Sequence, residues 1–377
     1  MFFTVKNFLK AALFIIGIFL ITYLCIDYIQ RKNNTMDIEE YSPISTLKVK
    51  QTLLTKSKYP FIDVHGHPFP TVISDLSGLV SEMDSLNMAF MVNLSGFRGL
   101  YLTKSLENIK RNAPTRFGLF LNLDFETIDD KDFESNTLKM INDAYNKGVM
   151  GLKIYKSLGL TDKDSKGDRI KINDPRLKPI WELCGILKIP ILIHSGEPES
   201  FWFDIDKYNE RWLELRQKPG RYMGNSSKYP TYKEVISEQH DIFRNNPQTI
   251  FINAHLGWMG NDLDALSEHL DKYPNVMTEL GAVLAELGRQ PKRAREFLIN
   301  YKERVLFGKD YNPSQEFSEY YTYFRVLETD DEYFDYYRKR HAHWKMYGLS
   351  LPDSVLKCIY YKNALKLFPK IDKNLIK

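Results

Sequence analysis

Five polar residues end apolar, strand-like runs at points spread over most of the chain. His65 and His67 end FIDVHGH, His194 ends IPILIH, His255 ends IFINAH, and Asp310 ends RVLFGKD. Because the side chains of a strand alternate between its two faces, His65 and His67 are expected to share one face. Imidazole and carboxylate groups together suit Zn²⁺ or a similar divalent ion, which lowers the pKa of a bound water from about 15.7 towards about 7. These residue types therefore predict a metal site with a nucleophilic water.

The remaining four histidines show that a His-x-His spacing alone does not indicate a metal site. His240, His269, His341 and His343 fall in helix-like or loop segments. His341 and His343 repeat the His-x-His spacing in a charged, aromatic stretch, so that spacing alone is a weak signal. What favours a metal site is that four of the eight histidines stand at strand ends.

The elements that would position these side chains are short apolar runs separated by helix-like stretches. Such alternation predicts a parallel sheet, and eight strands predict an α/β fold, the (β/α)8 TIM barrel, whose strand ends meet at one face. An open, doubly wound sheet is the alternative, but no Gly-x-Gly-x-x-Gly loop follows the first run. The predicted strands are Phe61–Val64, Ala89–Leu94, Phe117–Leu123, Val149–Ile154, Ile189–Ile193, Ile250–Ala254, Val276–Leu280 and Val305–Gly308.

This division predicts two regions in the 377 residues. Residues 1–57 contain a hydrophobic anchor, at about 8–29, and a polar tether. Residues 58–377 form the barrel, with a long loop at 197–235 and a C-terminal helical segment. In a barrel the long loop lies at the catalytic face, where it is either a lid or a structural excursion.

The N-terminal apolar run, Ala11–Ile26, contains no charged residue. With Phe8, Leu9, Tyr28 and Ile29 it approaches the roughly 20 residues that cross a bilayer. We expect an uncleaved signal anchor, with a single N-terminal pass and an extracytoplasmic catalytic domain. The alternatives are a secreted chain after cleavage, a lipid anchor at Cys25, and a buried core helix, but no Ala-x-Ala-like site follows and Leu24 precedes the cysteine.

Composition narrows the class of protein without indicating a reaction. A net charge of +4, with interspersed charges, argues against a nucleic-acid partner. The aromatic content of 14% excludes a wholly disordered chain, and three cysteines are too few for a disulfide scaffold. We therefore expect a globular protein with a small-molecule partner, either monomeric or a homo-oligomer.

The chain from about Tyr59 to Phe368 resembles the amidohydrolase superfamily, in the amidohydrolase-related branch that also contains metal-dependent decarboxylases and lactonases. The resemblance rests on DVHGH, LIHSG, NAHLG and LFGKD in this order, and on the closing segment IYYKNALKLF. It implies that His65, His67, His194 and Asp310 bind the metal. It also implies that His255 and Asp310 are the catalytic acid/base residues.

Some assignments stay open. We expect one metal ion, with Zn²⁺ as the first choice. The alternative is a site with two metal ions, bridged by a carboxylated Lys153 in the fourth strand. Lys153 is equally a candidate for binding substrate, as are Glu197, Trp258 and Glu279, each of which also has a purely structural interpretation.

Three functions follow from these expectations. The first is a metal-dependent hydrolase in which a metal-bound water attacks a small ester, lactone or amide carbonyl. The alternative is non-oxidative decarboxylation of a small unsaturated or aromatic acid. The third is a catalytically silent, membrane-tethered binding protein.

Overall fold

The computed structural model describes residues 5–33, 35–72 and 75–376. These residues form two compact units, the first ending at Lys48 and the second beginning at Val49. The candidate site described below lies wholly in the second unit.

The first unit contains one long helix, α1, at Val5–Asn33. Within it, Asn7–Lys32 has a mean hydropathy of 2.4, and none of its apolar window is buried. By length and composition this helix could cross a membrane, and a signal sequence passes the same test. An apolar N-terminal helix is thus confirmed, and its role as an anchor stays a prediction.

The second unit is built on eight parallel strands within the described residues, paired in chain order. The last strand meets the first where the Val64 N–H donates to the Phe307 carbonyl at 3.0 Å, and where Gly66 bridges Tyr311. The predicted (β/α)8 barrel is therefore confirmed. Its strands are β1 Phe61–Gly66, β2 Met88–Asn93, β3 Phe117–Asn122, β4 Gly151–Ile154, β5 Ile191–Ile193, β6 Phe251–Asn253, β7 Val276–Glu279 and β8 Val305–Leu306.

Helices surround these strands, so each strand is buried on its inner face by the other strands and on its outer face by the helices. Burial on both faces explains why the strands are nearly continuous apolar runs. The inner faces form a cluster that includes Ile62, Val64, Phe120 and Leu192. The outer faces pack against the helices in a larger cluster. The helices are α2 Ser77–Ser85, α3 Gly99–Asn112, α4 Phe133–Asn146, α5 Lys178–Leu187, α6 Trp212–Gln217, α7 Tyr232–Asn245, α8 Leu263–Lys272, α9 Leu284–Gly288, α10 Pro291–Asn300, α11 Tyr320–Glu328, α12 Asp353–Lys357 and α13 Asn363–Leu367, with a π-helical turn at Cys358–Lys362.

Two segments outside the regular barrel units contribute to the site described below. The β5–α7 loop, residues 194–231, contains α6 and ends at Thr231, whose hydroxyl caps α7. The cover segment, residues 329–350, follows α11 without forming a helix and carries a bridge between Phe334 and Met346. The predicted C-terminal helical segment is helical in α11 and again from α12 to α13, but residues 329–350 between them form no helix.

The chain just before β1 is bound to the second unit. The Thr52 N–H and hydroxyl donate to the two carboxylate oxygens of Asp331 at 2.6 Å and 2.7 Å. Asp331 is buried and also accepts a hydrogen bond from Arg325 of α11 at 2.8 Å. Part of the polar stretch before β1 therefore fastens the start of the cover segment.

Candidate metal centre and active site

Three donor atoms converge at the carboxyl ends of β1 and β8. The Nε2 atoms of His65 and His67 each lie 3.4 Å from the same oxygen, Oδ1 of Asp310. The three atoms lie within 4.8 Å of one another. Two imidazole nitrogens and a carboxylate oxygen at this spacing are a donor set that suits a divalent ion such as Zn²⁺.

The other ring nitrogens of the two histidines show which tautomers are present. His65 Nδ1–H donates to Glu279 Oε1 at 3.0 Å. Tyr155 uses its hydroxyl hydrogen on the Leu94 carbonyl, so Ser95 Oγ, 3.2 Å from that hydroxyl, donates to it and accepts from His67 Nδ1–H at 2.7 Å. Both Nε2 lone pairs are therefore directed at the converging point, as metal ligation requires.

The backbone that carries these ligands is held by a second carboxylate. Asp63 Oδ1 accepts from the His65 N–H at 2.8 Å and from the Lys309 N–H at 3.3 Å. Its Oδ2 accepts from the Tyr320 hydroxyl at 2.5 Å. Burial raises the pKa of Asp63 to about 6, against the opposing effect of the Tyr320 hydrogen bond. Asp63 thus joins the end of β1 to the residue before Asp310.

His255 lies in a left-handed turn directly after β6. His255, Leu256, Gly257 and Trp258 have φ angles of 58°, 55°, 62° and 56°. Residues other than glycine rarely adopt this conformation, and each such residue costs of order 1–3 kcal/mol unless neighbours impose it. Here the His255 N–H donates to Glu279 at 2.6 Å, and Trp258 stacks on the imidazole with ring centroids 4.5 Å apart. Asp310, with φ 65°, is likewise held by its N–H donating to the His65 carbonyl.

Glu279 connects three strands of the site. Its side chain is fully buried and accepts from His65 Nδ1–H, the His255 N–H and, at 2.5 Å, the Gly281 N–H. Burial raises the pKa of this carboxyl, but the opposing effect of His65 is the first of several that together outweigh burial, so the net pKa falls from 4.5 to about 2. The structure places this predicted substrate contact behind His65, where its oxygens are already bonded within the protein.

His194 lies beside His255, with the two rings 4.4 Å apart. His255 Nδ1–H donates to the Gly281 carbonyl at 2.7 Å, so its Nε2 accepts from His194 Nδ1–H at 3.3 Å. The remaining nitrogen, His194 Nε2, is buried without a hydrogen-bond partner among the described residues. Burial lowers the pKa of both histidines, that of His255 to about 3, so both imidazoles are neutral near pH 7.

The orphaned lone pair of His194 agrees with a role as a further ligand, since a buried polar atom normally has a partner. His194 is not part of the three-atom group formed by His65, His67 and Asp310. The structure therefore brings three of the four predicted ligands together and places the fourth next to the predicted catalytic histidine. The donor set fits the expected ion.

The other predicted substrate contacts differ in where they lie. Lys153, in β4, is buried, its Nζ has no hydrogen-bond partner within the described part of the chain, and burial lowers its pKa to about 8. Glu197 and Trp258 line a cavity that His194, His255 and Asp310 also line. Glu197 is paired there with Lys156.

The fold and the strand-end histidines agree with a comparison of the sequence with known families. The family model described as Amidohydrolase matches residues 62–370. This chain belongs to the amidohydrolase family. It is an amidohydrolase-related enzyme, as the motifs indicated. No curated protein matches it.

Several solved structures resemble this amidohydrolase. An uncharacterised TIM-barrel protein from Bordetella bronchiseptica has a TM-score of 0.51 and 12% identity, over 82% of this chain and 99% of that one. A 2,6-dihydroxybenzoate decarboxylase has a TM-score of 0.47 and 14% identity, over 82% and 99% of the two chains. For 4-oxalomesaconate hydratase from Rhodopseudomonas palustris the values are 0.48 and 13%, over 84% and 97%. At 12% identity, the resemblance to the Bordetella bronchiseptica protein shows the fold alone.

Some residues at the site of this amidohydrolase were not singled out in the sequence. Ser95 and Tyr155, which fix the His67 tautomer, follow β2 and β4 closely, so the strand-end argument that found the histidines could have found them. Asp63 occupies the opening position of the DVHGH motif. Arg338 of the cover segment, which also lines the cavity, has no such signal, because it stands in an irregular segment rich in charged and aromatic residues.

Proposed function

We propose that this protein is a metal-dependent hydrolase of small esters, lactones or amides. The observation that carries the proposal is the convergence of His65 Nε2, His67 Nε2 and Asp310 Oδ1, with the two histidine tautomers set by Glu279 and Ser95. Such an arrangement of unprotonated nitrogens around a carboxylate is unfavourable unless a cation or proton lies between them.

His65, His67 and Asp310 would hold one divalent ion, with His194 as the fourth ligand. Bound there, Zn²⁺ would acidify a water and polarise the substrate carbonyl. A second ion on a carboxylated Lys153 is the alternative stoichiometry, and metal analysis separates the two.

The chain's own residues supply the proton transfers. Asp310 is held as a carboxylate, because the neighbouring histidines lower its pKa more than burial raises it, and it accepts the proton of the attacking water. His255 is neutral, with its Nδ1–H committed to the Gly281 carbonyl. Its Nε2 can therefore receive the proton that Asp310 takes from the attacking water, giving up the hydrogen bond that it accepts from His194, and then donate that proton to the leaving group.

Two substitutions test these roles in the full-length chain. His255→Asn and Asp310→Asn should each lower kcat on a panel of esters and lactones by about 100-fold or more. Asparagine tolerates the left-handed backbone at both positions, so the fold should survive, as thermal unfolding can verify. His343→Asn, at an exposed histidine, is the matched control. Full activity in both site variants would refute the proposal.

Decarboxylation of a small acid is a second candidate, favoured by the ammonium of Lys153, which has no hydrogen-bond partner among the residues that the structure describes. This cation is buried and within electrostatic reach of Asp310, where it could balance the charge of a substrate carboxylate. His255 would then protonate the carbon that loses CO₂. Incubation in ¹⁸O-labelled water separates the candidates, since hydrolysis places the label in the carboxylic acid product, whereas decarboxylation adds no oxygen from water to the organic product and releases one CO₂ per turnover.

We also propose that α1 anchors the enzyme in a membrane with the barrel on the extracytoplasmic side. The apolar stretch Asn7–Lys32 supports this role. The mass of the mature chain in the membrane fraction tests it, because cleavage or lipid attachment at Cys25 would change that mass. A soluble, shortened chain would indicate a secreted protein instead.

A further inference from the structure

The cavity over the candidate site is walled by segments outside the barrel strands. The β5–α7 loop contributes Arg211, Glu214 and Arg221, and the cover segment contributes Arg338 and His341. The cavity is small, about 80 Å³, so its occupant is a small molecule. What these charged walls would bind depends on which of the charges are already paired.

Most of the cavity's cations have partners within the protein. Lys156 pairs with Glu197, and Arg221 pairs with Glu214. Arg211 pairs with Glu214 at 3.2 Å and with Glu286 at 2.5 Å. These groups therefore offer a ligand little uncompensated charge.

Arg338 is different. Its guanidinium forms no ion pair or hydrogen bond with any residue in the described ranges 5–33, 35–72 and 75–376, and it packs over the Tyr337 ring at 5.4 Å. Its charge is close enough to Asp310 for the two to interact electrostatically. A half-buried guanidinium without a partner loses part of its hydration and gains nothing in return, unless a ligand supplies the acceptor.

The segment that carries Arg338 is held in place from both sides. Arg211 Nη1 donates to the His341 carbonyl at 2.8 Å. Trp344 Nε1 donates to the Ala285 carbonyl at 2.9 Å, and the Arg289 guanidinium lies 4.0 Å from the Trp344 ring. The backbone of the cover segment is thus fixed before any ligand arrives, so binding has to order only the side chain of Arg338, which reduces the entropy lost.

We propose that Arg338 binds a carboxylate of the substrate, so that the enzyme acts on small carboxylate-bearing esters, lactones or amides. The planar guanidinium matches a carboxylate with two parallel hydrogen bonds. The inference rests on the proposed function, because it places the reacting carbonyl at His255 and Asp310 in the same cavity. It assigns the substrate class that the strand-end residues leave open.

Binding of small diacids to the zinc-loaded, full-length chain in detergent tests this assignment by calorimetry. The probes are malonate, succinate and glutarate, each compared with its half-amide, which keeps one carboxylate and loses the other charge. We expect at least one diacid to bind about 10-fold to 100-fold more tightly than its half-amide. Arg338→Met should reduce this preference to less than about 3-fold, and Arg338→Lys should retain part of it.

Lys339→Gln is the matched control, because it removes the same charge from an exposed neighbouring position. Thermal unfolding and zinc content of each variant separate lost binding from lost fold. Equal affinity for diacid and half-amide, or an unchanged preference in Arg338→Met, would overturn the inference. Arg338-dependent binding of inorganic phosphate without any diacid preference would overturn the choice of carboxylate.

The same experiment separates this inference from the proposed function. Hydrolysis of neutral esters without any diacid preference would refute carboxylate binding by Arg338 and still support the hydrolase function. An Arg338-dependent diacid preference without hydrolysis of any ester, lactone or amide would support carboxylate binding by Arg338 and refute the hydrolase function.

Discussion

Gly308, between β8 and Asp310, is the position where one added methyl group should damage the site most. A Cβ at this residue would lie 2.2 Å from Glu279 Oε2 and 3.0 Å from His65 Cβ. Ordinary contact begins at 3.4 Å, so the Glu279 carboxylate would have to retreat by about 1.2 Å. That carboxylate holds the His65 tautomer and the His255 backbone, so both should be disturbed together.

The magnitude follows from these contacts. Overfilling a close-packed site costs about 1–3 kcal/mol of folding free energy. Loss of the hydrogen bond that orients a liganding histidine lowers metal affinity by about 10-fold to 100-fold. We therefore expect Gly308→Ala to remain folded and to bind zinc at least about 10-fold more weakly.

Competition with a fluorescent zinc chelator measures this loss in the full-length chain. Gly78→Ala is the matched control, because a Cβ at Gly78 meets no atom within 4 Å. Gly308→Ala with the wild-type zinc affinity would refute the role assigned to Glu279, since the carboxylate could not then be positioning a ligand.

Two further predictions concern stability. His269 is buried, and neither of its ring nitrogens has a hydrogen bond within the part of the chain that the structure describes. Burial lowers the pKa of His269 from 6.5 to about 3. Its contribution to the folding free energy is therefore complete above pH 6.5 and is lost as the pH falls towards 3. At pH 5 this loss is about 2 kcal/mol, so His269→Phe should shrink the difference in urea-unfolding free energy between pH 7.5 and pH 5 by about that amount, and an unchanged difference would contradict the reasoning. Thr52→Val removes a hydroxyl bonded to the buried carboxylate of Asp331 and should lower the unfolding free energy by about 1.5 kcal/mol, whereas Thr55→Val, at an exposed residue, should not; equal values for the two variants would contradict a fastening role.

The fold could be predicted because each strand is an apolar run buried on both faces. All eight predicted runs overlap the observed strands, and the differences lie at their ends. Val149 and Met150, for example, precede β4, because Gly148, with φ 106°, still belongs to the turn that ends α4. Such differences depend on local backbone geometry rather than on the apolar pattern.

The site could be predicted only in part, because strand-end position indicates which residues meet but not which atoms bond. Alternation left Glu279 free to face the substrate, whereas the structure turns it towards His65 and the His255 backbone. His65 and His67 meet Asp310 although the pairing of β1 with β2 shifts register between Asp63 and Gly66. Arg338 reaches the cavity through an irregular segment whose path no periodicity describes.

Metal content tests the central claim most directly. We would purify the full-length chain and its His65→Asn/His67→Asn double variant without chelators, and determine the bound divalent metal per chain by elemental mass spectrometry. We predict one equivalent in the wild type and almost none in the double variant. A wild-type chain without metal, or a double variant that retains the full equivalent, would contradict it.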